Sequence, residues 1–134
     1  MKFSDIGQNE WDKLKPYMDT CLLPLTGLTG REAPWEATAK LEQLKGIMSG
    51  MEQKFVGRVV TYPAWQYQSA NWEQDVAHTV EQLRAAGFRY IVIATVAPVG
   101  AGFAGADLVI TPETAREAEQ RIAELWWRDG SRPD

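Results

Sequence analysis

The chain is poor in the residues from which most catalytic and metal centres are built. It has one cysteine, Cys21, and one histidine, His78, in 134 residues. A lone cysteine excludes an intrachain disulfide, and one of each excludes a zinc site with several Cys or His ligands. No metal and no cofactor is therefore expected. Positive charge is also in deficit: 14 Lys and Arg stand against 18 Asp and Glu, a net charge of −4. That is the wrong sign for a protein that holds a phosphate backbone, so nucleic acid is not an expected partner. Long apolar runs are missing as well. The longest uncharged stretch, Tyr90 to Ala106, is broken by Pro98, Gly100, Gly102 and Gly105. It reads as a strand followed by a glycine-rich loop, and membrane insertion is not expected. Met1-Lys2-Phe3-Ser4-Asp5 lacks the apolar segment of a signal peptide, which predicts a cytoplasmic location.

What is present suffices for a packed core. Apolar residues make up 45% of a chain of ordinary domain length, so residues 1–134 are expected to form one domain. The first few residues and the polar segment 129–134 read as loose ends. Four apolar runs read as strands: Thr20 to Leu25, Arg58 to Tyr62, Tyr90 to Val96 and Asp107 to Thr111. They are continuous instead of alternating, as in a parallel sheet covered on both faces. Helical patterns fall before, between and after them, with none between the last two. A short helix is expected over Gln8 to Leu14. A longer one starts at Pro34, with Leu41, Leu44, Met48, Met51 and Phe55 at three- and four-residue steps. Another starts at Asn71 with Gln74 closing a capping box, buries Val76, Val80 and Leu83, and stops at Gly87. The last opens at Thr111-Pro112-Glu113 and buries Ala115, Ala118, Ile122 and Leu125. This order predicts an α/β domain, layered αβα, with a mainly parallel sheet of about four strands. Residues 97–106 are short for a parallel crossover, so the orientation of the last strand stays open.

Gly100-Ala-Gly102-Phe-Ala-Gly105 matches G-x-G-x-x-G but is followed by a strand pattern, so the helix that would hold a pyrophosphate is missing. A mobile connection near a site is the plainer reading. Ligands of open α/β sheets bind beyond the carboxyl ends of the strands. The candidate ligand-binding residues there are Thr26, Tyr62, Trp65, Tyr67, Thr95, Gly100, Gly102, Thr111 and Glu113. They include no nucleophile paired with a base, and His78 falls on the polar face of its helix, so no catalytic residue is assigned.

Aromatic residues crowd two places. Tyr62, Trp65, Tyr67 and Trp72 seal the end of the sheet, stack on a flat ligand or anchor a protein interface. Trp126 and Trp127 are helix neighbours about 100° apart, so with Leu125 inward at most one ring enters the core. The other covers the helix end or meets a partner, and both are candidate interface residues of a homodimer or protein complex. Cys21 lies inside the first strand and reads as an inert buried thiol. Asp19 and Arg58 each enter a strand, and if those strands are adjacent and parallel they form an ion pair at the amino edge.

Several motifs resemble the YpiF-like family of uncharacterised small proteins from Bacilli. They are Asp19-Thr-Cys-Leu-Leu-Pro24, Glu52-Gln-Lys-Phe55 before Gly57-Arg58-Val59, Tyr62-Pro63 with Tyr67, and Gly87-Phe88. Ala64 stands where that pattern favours a second proline, and the loop from Gly100 to Gly105 is particular to this sequence. The resemblance implies a cytosolic protein of Gram-positive bacteria and supplies no activity. The residues themselves favour a non-enzymatic binding protein, with self-association open. The rival is an enzyme or sensor with a small-molecule site at the carboxyl edge, under the glycine-rich loop.

Overall fold

Continuous apolar strands are stable only when both faces are covered. In the computed structural model, which describes residues 1–100 and 102–129, they form a five-stranded sheet flanked by helices. The strands are β1 (Thr20–Leu28), β2 (Val59–Thr61), β3 (Trp65–Tyr67), β4 (Tyr90–Thr95) and β5 (Leu108–Ile110). The helices are α1 (Gln8–Leu14), α2 (Pro34–Lys54), α3 (Trp72–Ala85) and α4 (Ala118–Arg128). The sheet runs β2-β1-β4-β5, with β3 paired to the carboxyl half of β1, and every pair is parallel.

Each face of the sheet has its own core. On one, Leu22, Val92 and Ile110 pack with Leu44, Ile47 and Met51 of α2 and Ile122 and Trp126 of α4. On the other, Cys21, Leu23, Ile91 and Ile93 pack with Val76, Val80 and Leu83 of α3, and Trp11 and Leu14 of α1 lie against them. The expected αβα layering is therefore present, with α2 and α4 facing α1 and α3 across the sheet.

The open question of β5 resolves as parallel. Among the described residues, its crossover over 96–107 holds a 3-10 turn (Phe103–Gly105) in place of a helix. That turn lies on α3, where Phe103 stacks on Trp72 with centroids 5.4 Å apart. Arg84 of α3 fixes the return, donating to the Gly105 carbonyl at 2.8 Å and to Asp107 at 2.9 Å. A short crossover works because it borrows α3 as its packing layer.

Other expectations need correction. Trp65-Gln66-Tyr67 is a strand that its short, proline-flanked pattern conceals. Leu41 points to solvent, while Ile47 takes the inward position. Asn71 precedes α3 without a side-chain cap, so its capping box does not form. Thr111 does not open α4: Thr111 to Thr114 make a turn, Ala115–Glu117 a 3-10 turn, and the α-helix begins at Ala118. Leu125 is only half-buried, and Trp126 is the inward residue. The first residues are not loose. Lys2 bridges to Thr61, and the Met1 ammonium donates to the Val59 carbonyl at 3.1 Å. Of the expected loose end 129–134, Asp129 is held by Tyr90 and Arg89, and residues 130–134 lie outside the described residues.

Candidate functional site

The carboxyl edge of the sheet gathers the three predicted threonines, and each hydroxyl already has a partner within the chain. Thr26 donates to the Gln66 carbonyl and accepts from the Leu28 amide. Thr95 bonds the amide and carbonyl of Ala97. Thr111 shares hydrogen bonds with Thr114, and its hydroxyl holds the Glu113 carboxyl below its ordinary range. Tyr62 is turned away from that edge. Its ring meets Phe88 edge-on at 5.3 Å and Phe3 at 5.8 Å, so with Trp65 and Trp72 it closes the α1/α3 core. Tyr67 alone of the four clustered aromatics is exposed. Gly100 and Gly102 stand in open space, and Gly102 has φ +74°, which suits glycine.

The amino edge carries more organised chemistry. Asp19, Arg58 and Arg89 each precede a strand whose first residues are in register, Thr20 with Val59 and Thr20 with Tyr90. Parallel pairing therefore lines up one acid and two guanidinium groups in a row. The expected ion pair is there: Arg58 donates to both Asp19 oxygens, Nε to Oδ1 at 2.9 Å and a terminal nitrogen to Oδ2 at 3.2 Å. Its guanidinium carbon lies 3.9 Å from the centroid of the Trp126 ring, a stacked cation–π contact. The Trp126 indole N–H donates to Thr20 Oγ1 at 2.9 Å, and the Thr20 hydroxyl donates to Asp19 at 3.0 Å. Four side chains thus bolt α4 to the sheet.

Outside this network a cleft of about 620 Å³ opens, lined by Leu14, Pro16, Tyr17, Lys54, Phe55 and Arg89 together with the Asp19–Arg58 pair. Arg89 pairs with Asp129 at 2.8 Å and Lys54 with Glu119 at 3.5 Å, both half-exposed. The Tyr90 hydroxyl, then the Arg89 charge, holds the Asp129 carboxyl below its ordinary value. Lys54, Arg89 and Tyr17 were missed in the sequence. Arg89 was within reach, since it enters a strand as Arg58 does.

A third feature is the outer face of α4. Trp126 is fully buried and Trp127 is 64% exposed beside a groove of about 530 Å³ formed with Gln120, Ala123, Glu124 and Arg128. The single cysteine offers no nucleophile, because burial pushes the Cys21 thiol up to about 12. His78 is exposed on α3. Among the described residues, no group of three or more His, Cys, Asp or Glu is placed to hold a metal, and no helix is long and apolar enough to cross a membrane.

A family model described as a protein of unknown function (DUF2487) matches residues 9–99, about two thirds of the chain. The match takes in Asp19, Lys54, Arg58 and Arg89 and ends before the glycine-rich loop, β5 and α4. No curated protein and no solved structure matches the chain.

Proposed function

The chain belongs to this uncharacterised family (DUF2487), and from that premise we propose that it works by binding, with the outer face of α4 as its contact surface and a second copy of itself as partner. The observation that carries this is Trp127, a large apolar ring 64% exposed beside a groove on a helix whose inner face is bolted to the sheet by Trp126. Exposed tryptophan beside a groove is the residue type most often found at the energetic centre of a contact.

Charge selects the partner. Glu117, Arg121, Glu124 and Arg128 follow one another at steps of four, three and four, one stripe of alternating sign along the helix. Two copies running antiparallel about a two-fold axis set Glu117 opposite Arg128 and Arg121 opposite Glu124, the exposed Glu117–Arg121 pair within each helix exchanging partners, with a Trp127 ring flanking the stripe on each copy. The hydroxyls at the carboxyl edge already have intrachain partners and the one thiol is inert, which favours binding over chemistry. Within the family, the motif residues from Asp19 to Pro24 support membership in the YpiF-like group of Bacilli and a cytoplasmic setting.

Charge exchange tests the reading. Glu117→Arg sets like charges against Arg128 of the second copy and is expected to shift the protein toward monomer. Adding Arg128→Glu to the same chain restores opposite charges and is expected to restore the dimer. If the double variant is no more dimeric than the single one, or if neither differs from the parent, the antiparallel α4 contact is wrong.

A further inference from the structure

We propose that the cleft at the amino edge of the sheet is a binding site for a small organic anion with a flat apolar body, of the class of aromatic carboxylates and aryl phosphates. This site lies at the opposite edge from the one where α/β sheets ordinarily bind ligands, and it is independent of the α4 contact. At about 620 Å³ the cleft has the size of a small-molecule site.

Its walls define the ligand. Three cations, Lys54, Arg58 and Arg89, line it, each with an acid beside it: Glu119, Asp19 and Asp129. Of these acids only Asp19 belongs to the cleft wall itself, so the lining offers an anion more donors than competitors. The three cations differ in role. Arg58 is gripped by both oxygens of Asp19 and stacked on Trp126, so it is a fixed positive floor whose position costs nothing further on binding. Lys54 and Arg89 stand at the rim, each in a half-exposed pair, with Glu119 and Asp129. Exposed pairs of that kind are weak, so both cations are able to turn to a ligand carboxylate or phosphate. Between rim and floor the exposed apolar surface is the Tyr17 ring, 68% exposed, with Leu14 and Pro16, while Phe55 and Trp126 back it from the core. A flat body lies against the Tyr17 ring, with its acid head toward the rim cations Lys54 and Arg89.

Phenyl phosphate is the probe, titrated into the uniformly ¹⁵N-labelled full chain. Saturable shifts are expected at the Trp126 indole N–H and at the Arg58 and Arg89 Nε–H signals, weakening as salt rises. Benzyl alcohol and inorganic phosphate, which each carry half of the recognised chemistry, are expected to bind at least about tenfold more weakly. The double variant Lys54→Ala/Arg89→Ala changes exposed side chains only. Its dispersed spectrum is expected to survive while affinity falls about tenfold or more. Trp127→Ala is expected to leave the titration unchanged, which separates this site from the α4 contact. The proposal is overturned if the cleft signals do not move, if benzyl alcohol shifts them as strongly, or if the double variant binds as well as the parent.

Discussion

Arg58 is the residue on which most of the amino edge depends. It joins β2 to the entry of β1 through Asp19 and to α4 through the face of Trp126. Removing one partner of such a pair leaves the other half-buried and unmatched. Arg58→Ala is therefore expected to destabilise the protein by about 2 kcal/mol, between the values for exposed and buried pairs. Arg58→Lys is expected to recover little, because an ammonium neither bridges two carboxylate oxygens nor stacks on the ring. Urea unfolding of the two variants checks both statements. Thr20→Val leaves the buried Trp126 N–H without its acceptor, and a loss of about 1–3 kcal/mol is expected in the same assay. The pairing of Asp19 with Arg58 was legible from sequence alone, since both precede apolar runs that had to be strands. The stack on Trp126 was not, because nothing in the sequence says which of two adjacent tryptophans faces inward.

At the scale of elements, boundaries moved where the backbone departs from the regular pattern. β1 runs to Leu28 through Pro24 and Gly27, which a propensity reading treats as a stop; the edge strand β3 makes use of that extension. Gly27 has φ +74°, and a Cβ there would lie 2.9 Å from the Val96 side chain. Gly27→Ala is expected to cost roughly 1–3 kcal/mol, the range for a non-glycine residue in left-handed backbone. A drop in thermal midpoint without change of secondary structure is the reading. The turn into α2 is held by Glu32. Burial pushes its carboxyl up, but hydrogen bonds from the Thr29 amide and hydroxyl, together with Lys40, outweigh this and bring it down to about 2. A depressed carboxylate stabilises the fold above its ordinary value of 4.5. That contribution is lost as pH falls from about 4.5 toward about 2, and Glu32→Gln is expected to flatten the acid limb of stability against pH.

For the whole molecule, the layered parallel sheet was readable because four continuous apolar runs were interspersed with amphipathic helices, and burial on both faces is the only stable use of such runs. The predicted hydroxyls of the carboxyl edge were legible as residues but not as a site. Whether a threonine is offered to a ligand or tied to its own turn depends on backbone geometry, as Thr95 with Ala97 illustrates. The cleft was invisible for the opposite reason: Tyr17, Lys54 and Arg89 belong to three segments that only the folded register brings together. The central claim, that the outer face of α4 is a contact between copies, is tested most directly by sedimentation velocity from low micromolar to high micromolar concentration. The account predicts a rise from monomer mass toward dimer mass for the parent chain, and a constant monomer for Trp127→Ala with unchanged circular dichroism. A parent chain that stays monomeric throughout, or a Trp127→Ala variant that dimerises as the parent does, would contradict it.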